Sequence, residues 1–153
     1  MRSYYVPVAA GVLLIVSSFL PWMFLGEESV GGVPEAAGLW ILALGVIAVL
    51  LAGLSIWTRK NSRHPLLLVG LMSFAIMFLG YQWMSRAVRD TAWARAHARA
   101  IVEGIPAGDI PATIVGPGIY LGAAAAVVLA GFGLTIVMRT VPGPYARPED
   151  DDL

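Results

Sequence analysis

No cysteine occurs among the 153 residues. Disulfides, thiolate nucleophiles and cysteine-ligated zinc or iron–sulfur centres are therefore excluded. Charge is also scarce, at 13% of residues, where a soluble globular domain carries about 25%. The ten basic and ten acidic side chains cancel to a net charge of zero. The arginines are dispersed among acids and form no basic face, which sets nucleic acid aside as a partner. Histidine occurs only at His64 and His97. What abounds is apolar: 58% of residues are hydrophobic and the mean hydropathy is +0.77.

The few charges are also segregated. All twenty fall outside four windows, 6–25, 37–57, 65–84 and 117–138, each of 20 to 22 residues. At about 1.5 Å rise per residue, a helix of that length reaches roughly 30 Å, the thickness of a bilayer's hydrocarbon core. A spanning segment must satisfy its own backbone hydrogen bonds, so the expectation is helix. Stretches such as WILALGVIAVLLAGLSIW lack the polar–apolar alternation of a membrane β-barrel. The fold class expected is an all-α integral membrane protein, a bundle of four transmembrane helices over residues 1–138. The first window is read as a retained span rather than a signal peptide, because Pro-Trp-Met-Phe and no small-x-small site follows Leu20.

The connection GEESVGGVPEA carries three carboxylates and no base, whereas TRKNSRH packs Arg59, Lys60 and Arg63 into seven residues. By the positive-inside rule the second loop is cytoplasmic, and both termini follow it. Six basic residues then lie inside and four outside: Arg86, Arg89, Arg95 and Arg99. Trp22, Trp40, Trp57 and Trp83 fall at span ends, where amphipathic rings anchor at the headgroups. Pro21 lacks an amide hydrogen, so a kink is expected there, with Trp22 to Leu25 completing the span and Ser17 or Ser18 helping to satisfy freed backbone groups.

Residues 85–104 have helical composition without membrane-level hydrophobicity. Met84, Ala87, Val88, Thr91, Ala94, Ala98, Ile101 and Val102 form a thin stripe at helical spacing, interrupted by Arg95. Arg86, Asp90, Trp93 and His97 lie mostly opposite, and Arg86, Arg89, Trp93 and His97 are candidate contacts for a partner on the outer side. Weak apolar content favours a helical extension of span three over 85–103 on the outer side, the alternative being a bend onto the membrane surface. The glycines and prolines that follow suggest an extended return through GDIPATIVGPG, within an outer segment 85–116. Residues 139–153, with three prolines and a final acidic run, are expected to be a flexible cytoplasmic tail.

Candidate chemistry is thin. Glu27, Glu28 and Glu35 lack calcium-loop spacing and read as solvated loop charges. His64 and His97 fall on opposite sides of the membrane in this topology and cannot share a haem or metal, so no cofactor or metal site is expected. Within the windows the polar groups are Ser17, Ser18, Ser55, Ser73, Gln82 and Thr135, with no ionisable group for a proton relay. Asp90, His97, Glu103 and Asp109 match no catalytic spacing. In span four, Gly118, Gly122, Ala126 and Ala130 recur every four residues, a face on which helix backbones approach closely.

Taken together, FLPW, the loop with VGG, TRKNSRH and GPGIYLGAAAA resemble the tryptophan-associated membrane proteins of actinobacteria, within a broad group of bacterial four-span membrane proteins. The resemblance covers most of residues 10–84 and again 116–135. It implies a bacterial inner-membrane protein and brings no catalytic residue. The function expected is a non-catalytic accessory or scaffold subunit, bound to the lipid bilayer and to other membrane proteins or itself through small-residue helix faces and the outer segment. Alternatives are an oligomeric, holin-like pore assembled through span four, and an outer-surface enzyme or sensor acting on lipid or envelope material through Asp90, His97 and Glu103.

Overall fold

In a computed structural model, residues 5–58, 63–104, 106 and 112–135 are described. Four helices, α1 (Tyr5–Phe19), α2 (Ala36–Thr58), α3 (Arg63–Glu103) and α4 (Pro117–Leu134), alternate with three short strands, β1 (Met23–Leu25), β2 (Glu28–Val30) and β3 (Thr113–Val115). The tail 139–153, residues 136–138 of the fourth window, Arg59 and Lys60 of the basic turn, and Asp109 lie outside the described residues.

The helices form a closed ring in which α1 packs on α2 and α4, and α3 packs on α4 and α2. Small residues set these contacts. A methyl group on Gly11 would stand 2.8 Å from Cγ2 of Val49, and one on Gly45 3.0 Å from the Ile15 amide nitrogen, so α1 and α2 touch almost backbone to backbone. Gly70 against Ala130 and Gly133 against Leu67 do the same for α3 and α4. Leu14, Ile41, Ala48, Leu66, Met77 and Leu129 fill the centre.

The outside of the ring is apolar as well, with Leu13, Val16, Leu50, Leu54, Leu68, Phe74 and Val127 exposed. A helix in water turns a polar face outward, whereas one that is apolar all round belongs in a large core or a membrane. Three helices, α2, α3 and α4, are long and apolar enough to cross a bilayer, and α1 is a shorter apolar helix of 15 residues.

The first window departs from expectation at its end. Helix α1 stops at Phe19 instead of kinking and running on to Leu25, and residues 23–25 are a strand. Pro21 cannot donate to the Ser17 carbonyl, which leaves that acceptor open. The indole N–H of Trp22 donates to it at 3.1 Å. The Val33 amide donates to the Ser18 carbonyl at 2.7 Å. The Ser17 and Ser18 hydroxyls, expected to serve the freed groups, donate instead to the Leu14 and Ile15 carbonyls at 2.7 and 2.6 Å.

Strand β1 is the centre of an antiparallel sheet in the order β2-β1-β3. Leu25 pairs with Glu28 across a two-residue turn, Gly26-Glu27. Gly26 takes φ +61°, the left-handed conformation that such a turn demands of its first residue. On the other edge, Met23 faces Val115 and Leu25 faces Thr113, which ties the α1–α2 connection to the α3–α4 connection. The sheet closes one end of the bundle.

Helix α3 passes this sheet and keeps going. Its 41 residues reach about 60 Å. Residues 85–103 are the direct continuation of the charge-free part, without a break in the helix.

Candidate functional site

Trp22 is the piece that organises the sheet end. Its side chain is fully buried. Three glycines open the slot that holds it: a methyl group on Gly118 would lie 2.6 Å from Cδ1 of Trp22, one on Gly80 3.3 Å from Cζ3, and one on Gly31 2.6 Å from Cβ. These glycines come from α4, α3 and the loop after β2, so one indole joins three parts of the chain. The expectation of Trp22 as a headgroup anchor is therefore corrected, because an anchor must reach the membrane surface and this ring reaches none. Trp40, Trp57 and Trp83 are 61%, 86% and 70% exposed.

Beside the sheet, a cleft of about 280 Å³ separates β1 and β2 from α3, lined among others by Leu25, Val30, Met84, Val88 and Thr91. The first half of the thin apolar stripe thus has an intramolecular partner. Arg95, which interrupts the stripe in sequence, also lines this cleft, and its Nη1 sits 3.5 Å from Oε2 of Glu28. Both side chains are about two-thirds exposed, so the pair registers the hairpin on the helix more than it stabilises it. Of the three loop carboxylates read as solvated charges, Glu28 has this cation partner.

The second half of the stripe has none of this cover. Ala94 and Ala98 are exposed, and Ile101 and Val102 are more than four-fifths exposed. On the other side of the helix Trp93 and His97 stack with ring centroids 4.0 Å apart, and His97 Nδ1 lies 2.9 Å from the Trp93 carbonyl. Trp93 remains 55% exposed. Arg86 and Arg89 are exposed near the sheet level, and Arg89 Nε donates to the Ser85 carbonyl at 3.1 Å.

A second cleft, of about 360 Å³, opens between α3 and α4 where they meet β3. Phe74, Met77, Phe78 and Tyr81 form one wall, and Val115, Ile119, Tyr120 and Ala123 the other. It is apolar almost throughout, with the two phenols its main polar groups.

The small-residue face of α4 lies inside the chain. Gly118 meets Trp22 and the Leu20 and Pro21 carbonyls, Gly122 meets Met77 and the Ser17 hydroxyl, and Ala126 and Ala130 meet Gly70. A pore assembled through this face would have to displace α1 and α3. Asp90 and His97 are exposed two turns apart on one side of α3, and Glu103 falls on another side by helical spacing. Neither cleft is lined by these three residues. His64 and His97 are about 50 Å apart along α3. Among the described residues no three His, Asp or Glu side chains converge as a ligand set.

Comparison with protein-family models, curated proteins and solved structures finds no match. The site rests on its own geometry. Sequence reasoning missed the sheet, the Trp22 slot and the Glu28–Arg95 pair. One local signal was available for the hairpin: Gly-Glu between MFL and ESV, a two-residue glycine turn between two strand-forming triplets.

Proposed function

We propose that the chain is a four-span integral protein of the bacterial inner membrane, with both termini cytoplasmic and the sheet end outside, and that it is a non-catalytic accessory subunit presenting the end of α3 to a protein partner. The observation that carries this reading is the free length of α3. From Ser85 to Glu103 the helix runs about 28 Å beyond the charge-free segment, and it displays Trp93 and, past Arg95, Ile101 and Val102 to solvent. An isolated helix gains little from propensity, so exposed apolar residues on it are best explained by a surface that covers them. Trp and Arg are the residue types that dominate binding energy at interfaces, and this segment holds one Trp and four Arg. The α4 small-residue face is filled from within, so the reading rests on the outer segment.

The short α1 is compatible with four spans. Its 15 residues rise about 22 Å, and β1 adds about 10 Å of extended chain. As a central strand β1 has hydrogen-bonding neighbours on both sides, β2 and β3. The outward assignment of the sheet end rests on the charge asymmetry of the two short loops.

A photoreactive residue at position 93 or 102, irradiated in native membranes, tests the role. A discrete cross-linked protein at both positions, absent when the reactive group replaces the bundle residue Leu50, is the expected result. Adducts at neither outer position would remove the basis for the proposal.

A further inference from the structure

Above the α3–α4 cleft, Arg89 of α3 has no ion-pair partner among the described residues. Phe74, Phe78 and Tyr81 line the cleft, and the same strip of helix surface continues through Ser85 to Arg89 at spacings of three and four. Side chains on a helix lean toward its N-terminus, which for Arg89 means toward the cleft. The bond from Arg89 Nε to the Ser85 carbonyl, 3.1 Å, holds it in that direction. Its guanidinium is thus drawn down by about one turn, to within about another turn, or 6 Å, of the Tyr81 level. No carboxylate pairs with it: among the described residues the ion pair is Arg95 with Glu28. The adjacent acid, Asp90, is one residue on and points about 100° away around the helix.

We propose that this cleft and Arg89 together form a site for one anionic phospholipid of the outer leaflet. The proposal rests on the membrane reading above and adds a ligand to it. One acyl chain lies in the trough between Phe74, Met77 and Phe78 of α3 and Ile119 and Ala123 of α4. Tyr81 and Tyr120, 42% and 66% exposed, stand at the level where phenols meet headgroups. The Arg89 guanidinium offers its free N–H groups to the phosphate in the paired geometry that arginine and phosphate share. Charge complementarity selects the occupant: a second copy of the hydrophobic helix would fill the trough but leave the cation unmatched, whereas a lipid of this kind satisfies both.

The test is native mass spectrometry of the delipidated protein in neutral detergent, titrated with phosphatidylglycerol or phosphatidylcholine of the same chains. The native chain should retain the anionic lipid more strongly, by roughly threefold to tenfold, the scale of one net hydrogen bond. Arg89→Gln should bring the two lipids level, and Arg86→Gln, which alters another exposed arginine off the cleft strip, should leave the preference intact. Ala123→Phe should weaken retention of both lipids by filling the trough. Excess inorganic phosphate should not displace the lipid, because a free anion gains nothing from the cleft. Equal retention of both lipids by the native chain, an undiminished preference in Arg89→Gln, or equal losses in both arginine variants would overturn the proposal. Carbonate extraction of native membranes separates this outcome from failure of the membrane reading: a chain that is extracted sinks both, and one that stays embedded but shows no preference sinks only the lipid site.

Discussion

Replacing Trp22 by phenylalanine isolates what the buried indole does. The change keeps an aromatic ring in the slot formed by Gly31, Gly80 and Gly118 but removes the donor that reaches the Ser17 carbonyl at 3.1 Å. Pro21 has already taken away the helical donor for that carbonyl, so the acceptor is left buried and open, at about 1–3 kcal/mol. The smaller ring also leaves a void beneath Gly80, and the two effects together come to about 2–4 kcal/mol. That is a large part of a typical stability of about 5–15 kcal/mol. Trp40→Phe, at a ring 61% exposed, is the matched comparison and should stay within about 0.5 kcal/mol of the native chain. Unfolding of the micelle-solubilised protein by sodium dodecyl sulfate, followed by helical circular dichroism, reads both. A chain that keeps Trp22 as its one tryptophan should in addition emit at short wavelength and resist aqueous quenchers. If the Trp22 and Trp40 variants unfold together, the indole is not a structural donor and the reasoning is wrong.

The glycines give a paired expectation. Gly70→Leu and Gly122→Leu drive side chains into Ala130 and Met77, and the same unfolding assay should show losses of about 1–3 kcal/mol or more, whereas Gly53→Ala and Gly131→Ala meet nothing within 4 Å and should be neutral or stabilising by up to about 1 kcal/mol. Topology is accessible because the chain has no cysteine of its own: a membrane-impermeant maleimide should label single cysteines at positions 28 and 97 in intact cells, and one at position 61 only after permeabilisation.

Long features were legible in the sequence because a charge-free apolar run of about twenty residues has the length and composition of a helix able to cross a bilayer. The charge-free windows 37–57 and 65–84 track α2 and the first half of α3 to within two residues. The continuation of α3 was legible for another reason, since alanine, arginine and glutamate favour helix without any help from lipid. The sheet was not legible. Three-residue strands are too short for a period-two pattern to emerge, and what holds β1 is β3, about ninety residues later in the chain. Trp22 was misread because a tryptophan at the end of an apolar run is equally suited to a headgroup or to an interior slot. The deciding partners, Gly80 and Gly118, are distant glycines whose meaning lies in the space they leave. The cleft and Arg89 combine both cases: Tyr81 and Arg89 share a helix strip that spacing reveals, but the opposite wall on α4 comes from packing alone.

The sheet also puts the chain's folding in a particular order during synthesis. When α1 and α2 have been made, β1 can pair with β2, but its other edge and one side of the Trp22 ring stay open until residues 113–118 emerge. The first half of the protein therefore carries its own mark of incompleteness, an uncovered indole and an unpaired strand edge, and the last helix to be made erases it. A ribosome that stops early releases a chain still bearing that mark, on the side of the molecule where the bundle should have been sealed.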